Sequence, residues 1–175
     1  MARLFLVVGL PGAGKTTTAK RLAAEQDALR LTPDEWMIPL FGDSNPTAQR
    51  AVLEGRLVAL ARQALQVGTN VVLDFGFWSR HERSSLRWLA GQHRASCDVI
   101  YLSVSRREQL ARIRRRQLGA SHTTFLMTES EVDGWRDQFE PPDQAELAGL
   151  AVPAPPPGWP DWSAWTTERW PSSDR

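Results

Sequence analysis

Residues 4–16 read LFLVVGLPGAGKT: an apolar run that breaks into a glycine-rich turn and closes on Gly14, Lys15 and Thr16. Gly9, four residues, then Gly-Lys-Thr is the Walker A spacing, and it constrains the fold more than any other feature of the chain. Such a loop works only between a strand and a helix. Leu4–Val8 supplies the strand, continuously apolar as a parallel strand covered on both faces must be. KTTTAKRLAAE, residues 15–25, supplies the helix. Glycines let backbone amides turn toward phosphate with no Cβ in the way, and the helix N-terminus adds donors and partial positive charge. Gly9, Pro11, Gly12, Ala13, Gly14, Lys15, Thr16 and Thr17 therefore form a candidate nucleotide cradle. In it Lys15 reaches the β and γ phosphates, and the Thr16 hydroxyl is a Mg²⁺ ligand. The bland alternative is a chance glycine-rich turn, which the flanking strand and helix argue against.

The rest of the chain repeats the alternation. Leu29–Leu31, Asn70–Asp74 and Asp98–Val104 read as further strands. Between them Leu53, Leu57, Leu60, Ala61 and Ala64 form one stripe of an amphipathic helix that Gly68 stops. Leu86, Leu89, Ala90 and His93 form another. TPDE (32–35), SRHE (79–82), SRRE (105–108) and TESE (128–131) each place Ser or Thr three residues before Glu, the capping-box spacing that marks a helix start. A βαβαβαβ order with a phosphate loop after its first strand predicts an α/β chain: a three-layer αβα P-loop NTPase fold, with a mostly parallel sheet and an Arg-rich helical lid. Residues 1–145 read as that domain. From Pro141 the composition changes: eight of the twelve prolines and Trp159, Trp162, Trp165 and Trp170 lie in the last 35 residues. Residues 146–175 read as a tail packed back on the domain, because four free tryptophans would expose a large apolar area. AWTTERW is a candidate edge strand.

Composition excludes some partners. The chain has 42% hydrophobic and 23% charged residues and a net charge of +1, so no global field draws it to nucleic acid or membrane. Arg outnumbers Lys nineteen to two, which suits phosphate, although a G+C-rich genome gives the same bias. Cys97 is the one cysteine and cannot form an internal disulfide. RLFLVVGL runs into the glycine-rich loop instead of a cleavage site, and no run of about 18 apolar residues exists to span a membrane. A cytoplasmic location is the default, and the sequence sets no oligomeric state.

Phosphoryl transfer needs more than a cradle. Asp34 follows the second strand at the carboxyl edge of the sheet, where ligands bind in open α/β folds. It is the candidate to orient or deprotonate an acceptor; its structural alternative is to complement a helix dipole. Glu35 is its rival, but the capping-box position occupies Glu35 and leaves Asp34, at N2, to project into the cleft. Asp74 ends the third strand and is the candidate carboxylate for a Mg²⁺-bound water; its alternative is a strand-end turn. Arg80 could grip the acceptor, with Phe75, Phe77 and Trp78 walling its pocket or filling the core. SRREQLARIRRRQ (105–117) carries six arginines. Leu110 and Ile113 face the core, and Arg112, Arg115 and Arg116 cluster on roughly the opposite side. A solvated basic face is the bland reading. A lid that neutralises the transferring phosphoryl, through Arg112 and Arg116, is the functional one. His81, His93 and His122 lack metal-ligand spacing. No Asn-Lys-x-Asp guanine signature appears.

GLPGAGKTT, TPDEW, VVLDFGFWSR, the Arg-rich helix and FEPP (139–142) together resemble P-loop kinases of the AAA-family ATP-binding group, relatives of polynucleotide kinase, chloramphenicol phosphotransferase and the zeta toxins. LDFGFWSR also resembles the Asp-Gly-Phe-Pro-Arg segment of nucleoside monophosphate kinases. The resemblance spans about residues 1–145. It implies phosphoryl transfer from ATP to a hydroxyl, with Asp34 matching the acceptor-activating aspartate, Arg112 and Arg116 the lid arginines, and FEPP a segment near the adenine. The departure is at the end: the Pro- and Trp-rich tail stands where a fifth strand normally follows.

The expectation is thus an ATP- and Mg²⁺-dependent kinase acting on a small-molecule hydroxyl. Two alternatives stand beside it: a polynucleotide 5′-hydroxyl kinase, acting on a nucleic-acid end, and a nucleotide-dependent switch or ATPase with the tail as its docking element.

Overall fold

The computed structural model describes residues 1–42, 47–119 and 127–173, with side chains other than those of residues 47 and 116–119. Among these, four strands and eight helices alternate: β1 (Arg3–Val8), α1 (Lys15–Glu25), β2 (Ala28–Leu31), α2 (Asp34–Phe41), α3 (Thr47–Gln66), β3 (Asn70–Gly76), α4 (Arg80–Gln92), β4 (Ser96–Tyr101), α5 (Arg106–Gly119), α6 (Glu129–Gln138), α7 (Gln144–Leu147) and α8 (Trp162–Arg169). The sheet order is β2-β3-β1-β4 and every pairing is parallel.

β1 shows why three layers form. Leu4, Leu6 and Val8 point to one face and join Leu57, Val58, Ala61, Leu73 and Leu86, the side of α3 and α4. Phe5 and Val7 point to the other and meet Ala19 of α1 and Val72. A strand buried on both faces cannot alternate polar and apolar, so it reads as an unbroken hydrophobic run. The three-layer αβα architecture expected from the sequence is the one observed.

Details depart from the expectation for local reasons. At TPDE no capping box forms. Pro33 is itself the N-cap, in helical geometry (φ −65°, ψ −32°) and with no side-chain cap bond. Proline is preset for a first turn, so the cap falls on Pro33 and the helix begins one residue later than Thr32 would dictate, with Asp34 its first residue, not its second. Freed from capping, Glu35 pairs with Arg30 and Lys20. Ser79–Glu82 and Thr128–Glu131 form complete boxes. Ser105 accepts from Glu108 N at 3.3 Å, but the Glu108 carboxylate turns to Arg112. Gly68 stops α3 as a Schellman turn, with Gly68 N on Leu65 O and Thr69 N on Ala64 O. β4 starts two residues early and ends at Tyr101.

α3 is rotated from its predicted stripe. Leu53, Leu57, Ala61 and Ala64 are buried, but Leu60 is exposed, and Glu54, Val58 and Leu65 are buried instead. The flank of Glu54 is covered by the chain's end, where Trp170 is only 1% exposed and joins the main core cluster. AWTTERW is helical, not an edge strand. Asp161 caps α8 by accepting from Ala164 N at 2.8 Å. Trp162 and Trp165 lie near the His81 ring, with centroids 6.2 and 6.1 Å away. No helix among the described residues is long and apolar enough to cross a membrane.

Candidate active site

The cradle forms where β1 ends. Gly14 caps α1 at φ +99°, a backbone state most side chains resist, and Thr18 N bonds its carbonyl to begin the helix. A Cβ on Gly9 would sit 2.8 Å from Leu102 O, so the loop can pass β4 only as glycine. Lys15 folds back, its Nζ donating to Leu10 O at 3.1 Å.

Asp74 lies beside this loop on β3, 4% exposed. Burial pushes its carboxyl above the usual range, and the Asp34 charge adds to the push. Lys15, Arg30 and a hydrogen bond with Thr16 pull it back down. Five predicted or newly found groups therefore meet here: Lys15, Thr16, Arg30, Asp34 and Asp74. Arg30, which sequence reasoning missed, donates from Nη1 to Asp74 Oδ2 at 3.1 Å. Its signal was present: a lone cation in ALRL, a strand otherwise apolar.

Asp34 opens α2 with its side chain 70% exposed and its Oδ1 3.0 Å from Arg50 Nη1. The exposure leaves it reachable by an acceptor, and its Coulombic effect on Asp74 places it across the same sheet edge. Trp78 borders the cradle: its Nε1 would lie 3.2 Å from a Cβ on Gly76, and Lys15 Cε would lie 3.7 Å from the same point. The preceding Phe77 sits at φ +44°, an outlier for a bulky side chain and a form of strain that clusters at functional sites. Packing against Phe75 and Trp170 holds it there. Arg80 is half-exposed and paired with Asp143, Nη2 to Oδ2 at 2.9 Å, so its guanidinium is engaged on the segment after α6.

The base of the Arg-rich helix rests on the cradle. Arg112 Nη1 donates to Gly12 O at 3.2 Å and Ala13 O at 3.3 Å, while Nη2 is bound by Glu108 at 2.6 Å. Leu110 and Ile113 pack on Val132, as expected of the inner face. Arg115 is exposed. The side chain of Arg116, and His122 entirely, lie outside the described residues. Gln109, also missed by the sequence, is fully buried. It donates to Pro11 O at 2.9 Å and accepts from Arg136 at 2.8 Å. Arg136, Leu10, Tyr101, Ser103, Val104 and Phe139 line a cavity of about 130 Å³ between β4 and α6. Phe139 of FEPP stacks on Tyr101 at 6.0 Å.

The residues present fit Mg²⁺. Thr16 is the first-turn hydroxyl of α1 at the cradle, Asp74 is buried on the neighbouring strand, and a carboxylate whose ionisation burial disfavours is one that a cation would stabilise. No cluster of three His, Cys, Asp or Glu suited to an all-protein metal cage occurs among the described residues, and Mg²⁺ commonly uses one or two protein ligands plus phosphates. Cys97 takes no part: burial pushes its thiol up, away from thiolate.

A glycine-rich cradle after the first strand, a helix N-terminus aimed into it, a buried aspartate on the neighbouring strand β3, and an all-parallel αβα sheet define a P-loop nucleotide-binding protein of kinase-like fold. The chain belongs to the AAA domain family, whose model matches residues 4–142. Solved structures agree on the fold. A putative kinase from Chloroflexus aurantiacus is similar at TM-score 0.67 and 21% identity, covering 95% of this chain and 96% of that one. Kti12 from Chaetomium thermophilum, in complex with ADP-AlF3, is similar at TM-score 0.64 and 19% identity, with 95% of each chain covered. A chain of the Pnkp1/Rnl/Hen1 RNA repair complex is similar at TM-score 0.69 and 19% identity over 86% of this chain. The present chain spans about half, 47%, of that one. Comparison with curated proteins gave no match.

Proposed function

We propose that the protein is an ATP-dependent kinase that transfers the γ-phosphoryl group to a hydroxyl of a small molecule. Residues 1–145 would form the catalytic domain and residues 146–175 a tail packed on it. The observation that carries the reading is the placement at one sheet edge of the loop ending in Lys15 and Thr16, Asp74 on β3, and Asp34 at the start of the helix that follows β2, the strand paired with β3. Lys15 leaves Leu10 O to bind the β and γ phosphates. The acceptor oxygen attacks the γ phosphorus, the bond to the β,γ-bridging oxygen breaks, and ADP leaves with that electron pair. Asp34 takes the hydroxyl proton. Arg112, already over the loop, turns from Gly12 O to the transferring oxygens, with Arg116 as the second lid cation. Electrostatic stabilisation of this kind is the larger part of phosphoryl-transfer catalysis. Thr16 and, through a water, Asp74 would hold Mg²⁺, which neutralises charge on the phosphate oxygens. The cavity beside Phe139 and Tyr101 is the candidate adenine site, and Trp78 and Arg80 are candidate acceptor contacts.

The likeness to a chain of an RNA repair complex favours a second reading, a polynucleotide 5′-hydroxyl kinase. Against it, the exposed surface of α2 next to Asp34 is apolar: Trp36, Ile38, Leu40 and Phe41 are all 42–55% exposed. Strand binding is instead led by cations on phosphates. The test is a screen of hydroxyl compounds and 5′-hydroxyl oligonucleotides with labelled ATP, run beside Asp34→Asn. The expected result is a labelled small molecule with the wild type, and ATP binding without transfer in Asp34→Asn. A labelled oligonucleotide would favour the second reading. Full transfer by Asp34→Asn would refute the role given to Asp34. Hydrolysis indifferent to every acceptor would overturn both kinase readings in favour of a nucleotide-dependent switch.

A further inference from the structure

The C-terminal tail takes no part in the scheme above, yet it is joined to Asp34 through the buried Trp170 and Glu54 and the half-buried Arg50. Glu54 on α3 is 6% exposed and uses both carboxylate oxygens. Oε2 accepts from the Trp170 indole Nε1 at 3.1 Å, and Oε1 accepts from Arg50 Nε at 3.0 Å. Arg50 then spans to Asp34, Nη1 to Oδ1 at 3.0 Å. On the tail side Arg169 lies 3.7 Å from Glu54 Oε2 and is anchored by Glu82, Nε to Oε1 at 2.8 Å. The same Trp170 ring meets Phe77, centroids 6.4 Å apart, beneath the strained turn that precedes Trp78.

We propose that Trp170, Glu54 and Arg50 are positioning residues through which the C-terminal tail sets where the Asp34 carboxylate stands. What Asp34 does there rests on the kinase reading; the coupling does not. Two physical points carry it. First, α2 has no side-chain cap bond, so local structure does not fix Asp34. An exposed ion pair alone contributes little, because two long side chains must be ordered to make it. Second, Glu54 removes that cost for Arg50. Held at Nε by a buried carboxylate that is itself held by the indole N–H, the guanidinium presents Nη1 in one direction. A tail serving only to cover α3 would need an acceptor for the buried indole N–H, but not the onward link from Glu54 through Arg50 to Asp34.

The test is hydrogen–deuterium exchange on the full chain, read at the amides of Met37, Ile38, Leu40 and Phe41 in α2 and at residues 159–173, with melting temperature and ATP affinity as fold controls. Trp170→Phe keeps a ring on Phe77 and Trp165 but deletes the N–H. Glu54→Gln and Arg50→Gln break the middle. Exchange in α2 is expected to rise about tenfold in the Glu54 and Arg50 variants, which break charge-assisted bonds, and about threefold in Trp170→Phe, which acts one link further from Asp34 and leaves the Glu54–Arg50 pair in place. The Glu54→Gln/Arg50→Gln double variant should rise no further than the larger single, since the two act in one chain. A loosened tail with α2 at wild-type protection would overturn the proposal, as would additive double-variant effects. Asp34→Asn separates this from the kinase reading. Coupled exchange with full transfer by Asp34→Asn keeps the coupling and removes the catalytic role. Uncoupled exchange with no transfer does the reverse.

Discussion

Gly55→Ala sets two principles against each other with opposite signs. Gly55 is in the middle of α3, and replacing a helical glycine with alanine ordinarily stabilises by about 1 kcal/mol. Here the added Cβ would lie 2.0 Å from Pro171 O, 2.9 Å from its carbonyl carbon and 3.0 Å from Trp170 O. All three are backbone atoms, so no side-chain rotation relieves the contact. The tail must lift by more than 1 Å, which strips Trp170 from the core and from Glu54. Complete loss of a buried tryptophan costs about 3–5 kcal/mol, and a hydrogen bond to a charged acceptor contributes about 1.5–3 kcal/mol. If lifting forfeits about half of these, the loss is about 3 kcal/mol against a gain of about 1, a net destabilisation of about 2 kcal/mol. In a chain of this size that lowers Tm by roughly 4–8 °C. Urea and thermal unfolding followed by tryptophan emission measure it. Gly134→Ala on α6 is the control, because nothing lies within 4 Å of its Cβ, and it should gain stability. If Gly55→Ala gains as Gly134→Ala does, the tail does not bear on α3 as described.

Asp74→Asn should separate stability from function. The folded carboxyl titrates above its ordinary 3.8, so its ionisation opposes folding above that window and not below it. Stability should fall as pH rises through the window in the wild type and less so in Asp74→Asn, which melts higher at neutral pH but loses Mg²⁺-dependent ATP turnover. Arg112→Lys should keep ADP affinity and lose about tenfold or more in affinity for ADP with aluminium fluoride, because an ammonium cannot make the planar two-point contact; isothermal titration measures both. Gln109→Leu removes the bond to Pro11 O and leaves Arg136 without its side-chain acceptor. It should cost about 1–3 kcal/mol in urea unfolding and raise the KM for ATP.

What the sequence revealed and what it hid divide by the distance along the chain over which each signal acts. The cradle was legible because its chemistry is backbone chemistry: eight consecutive positions, a strand before and a helix after. The positions of Asp34 and Asp74 near the carboxyl ends of β2 and β3 were legible from the apolar runs before them, although β3 runs two residues past Asp74, to Gly76. The Ser79 and Thr128 boxes were legible over three residues, and so was the box at Asp143–Glu146, although it went unread. The Glu54–Trp170 contact joins residues 116 apart, and no local period reports it. It also explains the error at Leu60. A stripe read from hydrophobicity alone centres on leucines, whereas the buried face of α3 centres toward a glutamate that the tail covers. Buried ionic residues such as Arg83 and Glu146, both fully paired, are invisible to pattern reading for the same reason: burial depends on the partner.

The two aspartates of the site have been given different work, and their surroundings are what divide it. Side-chain exposure is 70% at Asp34 and 3% at Asp74. A proton acceptor must be met by a diffusing substrate, so it belongs on the exposed side of the cleft, with a single cation, Arg50, to orient it. A carboxylate that shares a metal with a loop threonine must be placed within hydrogen-bond reach of that threonine and shielded from water, at the cost of an unfavourable ionisation that the metal can relieve. Environments that push two carboxylates apart assign their roles. Exchanging the two assignments would require the buried group to receive a hydroxyl it cannot touch. It would also require the exposed one to hold a cation away from the phosphates. On the kinase reading proposed above, the acceptor therefore goes to Asp34 and the metal to Asp74, and Arg30, already bonded to Asp74, would steady that carboxylate.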